Sequence, residues 1–244
     1  MNKELPVALV TGGASGMGRA IVERMARDGF SVVMVDKNEA LAKQETAVLQ
    51  AQGLAVEYRV TDITDEAQVT ALIDELPPLS ALINNAGIFD ERAFDTVTAA
   101  DFRRMYDVNL IAVHLLTQAA ARKMREGAKI VIIASRAYLG AKNHAHYVSS
   151  KAAAVGYTRA VAMELAPRGI LVNAIAPGLI DTPLLKSLTP ERRKAQEALQ
   201  PTGKAGRPED IANAVAFLSA PQMEFVTGQV LFVDGGKSLG GSYA

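Results

Sequence analysis

Short apolar runs alternate with longer amphipathic segments along most of the chain. The first run, VALVT, is followed by a segment in which Met17, Ala20, Ile21 and Met25 recur at helical spacing. This alternation continues to the end of the sequence. The predicted strands cover residues 7–11, 31–36, 55–62, 81–87, 129–135, 170–178 and 229–236. Predicted helices follow the first strand and cover 39–50, 65–75, 98–125, 146–166 and 208–219.

Most predicted strands are apolar at consecutive positions, which is typical of strands covered on both faces. Strands that alternate with helices form parallel sheets, and right-handed crossovers make such sheets doubly wound. We therefore predict an α/β fold with one seven-stranded parallel sheet flanked by helices on both faces. It forms a single domain over residues 1–244. The charged, proline-marked stretch 183–206 has two interpretations, a mobile substrate lid or a static pair of surface helices.

Composition narrows the class of protein. Hydrophobic residues make up 49% and charged residues 21%, which is enough for a full core, and the formal net charge is +0. The chain has no block of basic residues, so we expect no nucleic-acid partner. Without cysteine it has neither disulfides nor thiolate metal sites. We find no signal peptide and no apolar stretch near the ~20 residues that a membrane span needs, so we expect a cytoplasmic protein without a membrane partner.

Six predicted strands end in small or polar residues. In a parallel sheet these ends lie at one edge, where ligands bind. One polar ending would mean little because turns are polar in general, but six together indicate one continuous site. The endings are Thr11-Gly12-Gly13, Asp36, Asp62, Asn84-Asn85-Ala86-Gly87, Ser135 and Pro177-Gly178.

The segment TGGASGMG, at residues 11–18, places Gly12, Gly16 and Gly18 between a strand and a helix. Glycines at such a turn allow a pyrophosphate to approach the backbone at the helix N-terminus. Asp36 ends the second strand, where a carboxylate would accept hydrogen bonds from ribose hydroxyls and repel a 2′-phosphate. This pattern predicts NAD rather than NADP. The alternative for Asp36 is a helix cap.

The segment YVSSK, at residues 147–151, places Tyr147 and Lys151 one helical turn apart. A tyrosine with its ordinary pKa of ~10 is a poor base near neutrality, and a nearby ammonium lowers that pKa. The pair is therefore a candidate acid/base with a charged partner. The alternative is an ordinary exposed helical pair.

Several segments together resemble the short-chain dehydrogenase/reductase family. These are TGGASGMG, NNAG at 84–87, Ser135 with YVSSK, PGLIDT at 177–182 and VDGG at 233–236. The resemblance covers essentially the whole chain and implies a Rossmann-type sheet, a nicotinamide cofactor and usually a homotetramer or homodimer. It also implies catalytic roles for Tyr147 as acid/base, Lys151 as its partner, Ser135 as the group that orients the substrate oxygen and Asn109 as the anchor of a relay water.

The same resemblance implies a set of cofactor-binding positions. Asp62 and Ile63 would meet the adenine, Ile180 and Thr182 the nicotinamide carboxamide, and residues 85–87 the middle of the cofactor. The complete set is Gly12, Ser15, Gly16, Met17, Gly18, Asp36, Asp62, Ile63, Asn85, Ala86, Gly87, Tyr147, Lys151, Pro177, Gly178, Ile180 and Thr182.

The loop before Tyr147 departs from the family pattern. Ser135 precedes Tyr147 by twelve positions, where family members commonly have one more, so the pocket wall should differ. Arg136 and Lys142 on this loop could form a cationic wall, or Arg136 could point away from Ser135. His144 and His146 lack an evident third ligand, so we expect no metal. We expect His114, among apolar helix residues, in the core or an interface.

These observations predict an NAD-dependent oxidoreductase that interconverts a secondary alcohol and a ketone. The small-molecule substrate would be a sugar, a polyol or another small alcohol. One alternative is a ketoreductase similar to 3-oxoacyl-carrier-protein reductase, which Asp36 disfavours because biosynthetic reduction usually draws on NADPH. The other is a catalytically silent NAD-sensing scaffold.

Overall fold

Within residues 5–240, which the computed structural model describes, seven parallel strands form one sheet in the order β3-β2-β1-β4-β5-β6-β7. All six pairings are parallel. The order reverses between β1 and β4, where a doubly wound sheet opens its ligand crevice. The predicted fold is confirmed. The strands are β1 Val7–Thr11, β2 Ser31–Asp36, β3 Val56–Val60, β4 Ala81–Asn84, β5 Lys129–Ile133, β6 Leu171–Pro177 and β7 Val230–Val233.

Helices cover both faces of the sheet. Ile21, Leu49 and Val215 belong to the buried cluster on one face, and Leu72 and Leu116 belong to the cluster on the other. The central strands are therefore apolar on both sides, as their sequences predict. The helices are α1 Gly16–Arg27, α2 Glu39–Gln50, α3 Glu66–Glu75, α4 Ala99–Tyr106, α5 Ala112–Lys123, α6 Ala145–Leu165, α7 Pro183–Lys186, α8 Pro190–Ala198 and α9 Pro208–Ser219.

The segment predicted as one helix over 98–125 is not α-helical throughout. Thr98 begins it with a capping box to Asp101, and α4 then passes through a π-helical turn at Asp107–Ile111 before α5 continues. The predicted long helix is confirmed in its extent, and the π-helical turn within it was not predicted. The π-helical turn contains Asn109, whose buried side chain is hydrogen-bonded to Ile88 and to Ser150 on α6. The wider turn thus coincides with contacts to other segments.

The stretch 183–206 contains the short helices α7 and α8. Arg193 on α8 pairs with Asp181, after β6, at 3.1 Å between Nη1 and Oδ1, and with Glu197 at 3.0 Å. The pair with Asp181 connects α8 to the segment after β6, and the pair with Glu197 lies within α8. Movement as a lid stays a prediction. No helix in the described part of the chain is long and apolar enough to span a membrane.

Candidate active site

The carboxyl ends of the strands surround a cleft of about 540 Å³. Twelve of the predicted cofactor residues line it, together with residues that the sequence had not singled out, such as Lys37, Thr64 and Val108. The predicted residues in the lining are Gly12, Ser15, Gly16, Met17, Gly18, Asp36, Asp62, Ile63, Asn85, Ala86, Gly87 and Thr182.

The glycine loop at the start of α1 is too tight for side chains. Gly12 has φ +61 and Gly16 has φ +52, both in the left-handed region that favours glycine. A Cβ on Gly18 would lie 2.0 Å from the carbonyl oxygen of Gly12. The loop thus presents bare backbone at a helix N-terminus, which is the geometry that accepts a pyrophosphate.

Asp36 connects the end of β2 to this loop. Its Oδ2 accepts a hydrogen bond from the Ala14 amide at 3.1 Å, and its Oδ1 accepts one from the Asn38 amide at 3.0 Å. The cap of α2 is Asn38, whose side chain accepts a hydrogen bond from the Leu41 amide. The helix-cap alternative for Asp36 was therefore wrong, and its carboxylate lines the cleft.

The NNAG turn is fixed to the same loop. The side-chain amide of Asn85 donates to the carbonyl oxygens of Thr11 at 2.9 Å and Gly12 at 3.2 Å. The hydroxyl of Thr11 accepts the main-chain amides of Asn85 and Ala86 at 3.1 and 3.0 Å. On the far side of the cleft, hydrogen bonds from Thr64 lower the pKa of Asp62. Asp62 therefore stays a carboxylate.

Tyr147 and Ser135 meet beside the cleft. The hydroxyl of Ser135 accepts the Ala137 amide at 3.1 Å and is also hydrogen-bonded to the Tyr147 phenol. Burial raises the pKa of Tyr147 above its ordinary value, and the bond to Ser135 offsets part of that rise. The free protein therefore holds a protonated phenol at neutral pH.

Burial and the bond to Ser135 are the causes of the pKa shift of Tyr147 in the free protein, and a lowering of that pKa by Lys151 stays a prediction. The Nζ of Lys151 donates to the carbonyl oxygen of Ile133 at 2.8 Å. Burial lowers the pKa of Lys151 to about 8. The ammonium is thus held by a strand-end carbonyl rather than by the phenol one turn before it.

Asn109 reaches this group from the π-helical turn. Its Oδ1 accepts the Ile88 amide at 2.9 Å, and its Nδ2 donates to the Ile88 carbonyl at 3.0 Å and to the Ser150 hydroxyl at 3.1 Å. A Cβ on Gly87 would lie 3.1 Å from Asn109 Oδ1 and 3.3 Å from Lys151 Nζ. The predicted catalytic residues are therefore brought together. Ser150, which sequence reasoning missed, lies inside the quoted YVSSK segment but carried no signal of its own.

Five predicted cofactor residues are outside the cleft lining: Tyr147 and Lys151, described above, and three residues after β6 or at its end. Gly178 packs so closely on Asp234 that a Cβ would lie 2.6 Å from its Cα. Ile180 is buried and pairs with Gly206. Pro177 ends β6 inside the sheet. Cofactor contact by these three residues stays a prediction.

The histidines are dispersed. His144 contacts the ring of Phe89, with centroids 4.9 Å apart. His146 is completely buried, and neither ring nitrogen has a hydrogen-bond partner among the described residues. His114 Nδ1 lies 3.2 Å from the hydroxyl of Tyr157, whose pKa burial raises to about 12. Within residues 5–240, no three His, Cys, Asp or Glu side chains are placed to hold a metal ion.

Comparisons with known proteins agree with this geometry. A family profile described as Enoyl-(Acyl carrier protein) reductase matches residues 12–238. The chain is 42% identical over 239 residues to (2S)-[(R)-hydroxy(phenyl)methyl]succinyl-CoA dehydrogenase subunit BbsD of Thauera aromatica, with 96% of each chain covered. It is 36% identical over 243 residues to the 3-oxoacyl-[acyl-carrier-protein] reductase FabG of Vibrio cholerae, covering 98% of this chain and 100% of the relative.

A relative of known structure indicates which class of cofactor the family binds. The crystal structure of a short chain dehydrogenase from Burkholderia cenocepacia J2315 in complex with NADP superposes with a TM-score of 0.89 at 34% identity, covering 96% of this chain and 98% of that chain. The likeness supports a nicotinamide cofactor without distinguishing NAD from NADP. The profile match, the identities and the fold agree: the chain is an oxidoreductase that belongs to the short-chain dehydrogenase/reductase family.

Proposed function

We propose that the protein is an NAD-dependent oxidoreductase that interconverts a secondary alcohol and a ketone. The observation that carries this proposal is the hydrogen-bonded pair of Ser135 and Tyr147 beside a cleft lined by a glycine loop. Such a pair can hold one substrate oxygen and exchange one proton with it. Lys151 and Asn109 meet at Gly87, in the lining of the same cleft.

The cleft has the shape and the donors for a dinucleotide. Backbone amides around Gly12 and Gly18 would bind the pyrophosphate. Asp36 would accept hydrogen bonds from the ribose hydroxyls, and Asp62 with Ile63 would contact the adenine. The bound nicotinamide supplies the hydride acceptor for oxidation and the hydride donor for reduction. The chain's own task is to orient the substrate and to move the accompanying proton.

Tyr147 is the proposed acid/base. In ketone reduction its protonated phenol donates to the developing alkoxide, while the Ser135 hydroxyl holds the same oxygen. In alcohol oxidation the phenolate must form first, and a positive charge near it favours that form. Lys151, one turn along α6, is the charged group in position to do this. Asn109 keeps the Ile88 backbone and Ser150 in place around the pair.

Asp36 supports NAD as the preferred cofactor. Its two oxygens are each fixed by a backbone amide, so the carboxylate cannot easily turn away from the cleft. A fixed negative charge at the ribose position repels a 2′-phosphate. The neighbouring Lys37 also lines the cleft, and its positive charge would favour the 2′-phosphate of NADP. NADP is the cofactor bound in the Burkholderia cenocepacia relative.

Steady-state kinetics test this proposal. The rate of reduced nicotinamide formation is measured over alcohols, polyols, hydroxy acids and 3-hydroxyacyl thioesters, with NAD and with NADP. We expect higher kcat/KM with NAD. Tyr147→Phe should lower kcat by about 10²–10⁴-fold with unchanged NAD affinity, whereas Tyr138→Phe, in the preceding loop, should be near wild type. Wild-type turnover by Tyr147→Phe refutes the mechanism, and equal or better use of NADP refutes the cofactor assignment.

A second candidate function is that of a 3-oxoacyl-thioester ketoreductase. The relation to FabG of Vibrio cholerae over nearly the whole chain favours it. Efficient reduction of a 3-oxoacyl thioester with NADPH, together with poor alcohol oxidation, would replace the leading proposal. A catalytically silent scaffold would bind NAD tightly and turn over none of these compounds.

Assembly and location stay predictions from the family resemblance and the composition. The resemblance implies a homotetramer or homodimer, and a monomeric mass by light scattering would contradict it. Fractionation of cells that express the protein tests the cytoplasmic location.

A further inference from the structure

Phe89 is an apolar side chain left half-exposed beside the proposed acid/base. Its ring is 46% exposed, and its centroid lies 5.1 Å from that of Tyr147 with the ring planes at 83°. His144 lies on another side of it, with centroids 4.9 Å apart and planes at 30°. Phe89 therefore presents an aromatic surface next to the ring of Tyr147, whose hydroxyl would exchange the proton.

The position of Phe89 is held from two sides. The Arg92 amide donates to the carbonyl oxygen of Asn143 at 2.8 Å, which joins the loop 88–96 to the loop 136–146. The side-chain amide of Asn143 also lies 3.5 Å from Glu91 Oε1. From α8, Arg192 reaches Glu91 at 3.6 Å. These contacts connect the segment carrying Phe89 to the opposite pocket wall and to α8.

The charged side chains of this loop are engaged with one another. Asp90 pairs with Arg92 at 2.9 Å and with Arg104 at 3.2 Å, and Arg92 also lies 3.3 Å from Asp101. A polyol or sugar needs polar partners for several hydroxyls, because a buried hydroxyl without a hydrogen bond is costly. Asp90 and Arg92 thus pair with each other and with α4, and Phe89 leaves an aromatic face beside Tyr147.

We propose that Phe89, together with His144, forms the wall that selects the substrate, and that the substrate class is a secondary alcohol or ketone whose reacting carbon lies in or next to an apolar ring. This inference rests on the proposed function and narrows its range of alcohols. An aromatic ring set against Phe89 gains edge-to-face or offset contact, and a saturated ring buries apolar surface against it, while the reacting oxygen points to Tyr147 and Ser135. A polyol gains no such contact.

The kinetic test compares cyclohexanol and 1-phenylethanol with 2-hexanol and ribitol. We expect wild type to favour 1-phenylethanol over 2-hexanol in kcat/KM by about tenfold, because one aromatic pair is worth about a factor of ten, and to favour cyclohexanol over ribitol. Phe89→Ala should remove that preference, mainly through KM for the ring alcohols, with little change for 2-hexanol. Phe94→Ala is the matched control, since Phe94 is on the same loop and 84% exposed, and its preference should equal that of wild type.

A binding measurement separates this inference from the proposed function. Calorimetry on the Tyr147→Phe variant saturated with NAD compares cyclohexanone with 2-hexanone, and the titration is repeated with Phe89→Ala added. We expect tighter binding of cyclohexanone that Phe89→Ala abolishes. If that binding pattern is found but no alcohol is turned over, the proposed function fails, while the recognition of a ring by Phe89 stands.

Three results would overturn the inference while leaving the oxidoreductase in place. The first is wild-type preference for ribitol or 2-hexanol over the ring alcohols. The second is an equal loss of activity on all alcohols in Phe89→Ala. The third is an equal change of preference in Phe94→Ala, which would assign selection to the loop as a whole rather than to Phe89.

Discussion

The ammonium of Lys151 is bonded to the carbonyl oxygen of Ile133, 2.8 Å away, across the junction between α6 and the end of β5. The strand end thus holds the charge of a buried lysine one helical turn after Tyr147, with no carboxylate partner among the described residues. Burial without a counter-ion disfavours the charged form, which is why the pKa of Lys151 falls to about 8.

This lowered pKa makes stability depend on pH. The unfolded chain binds the Lys151 proton up to its ordinary pKa of 10.5, while the folded chain loses it near 8, so stability rises with pH between the two values. We expect the free energy of unfolding to gain about 2 kcal/mol from this group between about pH 8 and pH 10. Urea unfolding of wild type and Lys151→Met measures it, and equal pH slopes for the two proteins would contradict the prediction. The range ends at pH 10 because Tyr147 begins to titrate in the unfolded chain there.

Asp36→Asn should change the choice of cofactor. The substitution keeps the size of the side chain and removes the charge that repels a 2′-phosphate. We expect the kcat/KM ratio of NADP to NAD to rise by about tenfold or more, since one such charge contact is worth more than 1.4 kcal/mol. Asp62→Asn is the control, because it removes the other carboxylate of the cleft at the adenine end. An unchanged ratio in Asp36→Asn would show that Asp36 does not select the cofactor.

Gly18→Ala should abolish dinucleotide binding. A Cβ at this position would lie 2.0 Å from the Gly12 carbonyl oxygen and 2.6 Å from Asn85 Nδ2, so both the loop and the NNAG turn must shift. We expect the NAD dissociation constant to rise by about a hundredfold or more, measured by fluorescence titration of NADH. Gly156→Ala is the control: a Cβ there meets nothing within 4 Å, and we expect stability to rise by up to about 1 kcal/mol.

Asn109→Asp should lower both stability and turnover. The new carboxylate would still accept the Ile88 amide, but its second oxygen would face the Ile88 carbonyl, where Nδ2 now donates at 3.0 Å. Leaving buried polar groups unpaired costs about 1–3 kcal/mol, and a buried charge costs more. Ser150→Ala removes one partner of Asn109 and should cost only about 1 kcal/mol. Thermal unfolding compares the two variants, and a smaller loss in Asn109→Asp than in Ser150→Ala would refute this role.

The sequence predicts the sheet and the cleft well because both depend on local patterns. Apolar runs indicate where the strands lie, and a parallel sheet places the carboxyl ends of all its strands at one edge. Thus Asp36, Asp62 and the NNAG turn line one cleft although they are far apart in the chain. The role of Gly12 and Gly18 can also be predicted from the local sequence, because their spacing indicates a tight turn with no room for a Cβ.

Long-range side-chain contacts could not be predicted in this way. Asn109, Ile88 and Ser150 meet through a π-helical turn whose extra residue leaves no periodic trace over five positions. The orientation of Lys151 toward Ile133 rather than Tyr147 depends on where β5 ends relative to α6. Asp36 resembles a helix cap in sequence, and the contact with Ala14 together with the capping of α2 by Asn38 distinguishes the two roles.

The hydrogen bond from the Arg92 amide to the Asn143 carbonyl means that the loops 88–96 and 136–146, which form the two walls of the pocket, depend on each other for their positions. The stretch between Ser135 and Tyr147 ends in a fixed geometry, with Asn143 in the left-handed region at φ 63. Grafting a relative's longer stretch there would displace Asn143 and release the segment that carries Phe89. A chimera aimed at a new substrate therefore has to transplant residues 88–96 and 136–146 together, and libraries that diversify one stretch alone should yield mostly impaired enzymes.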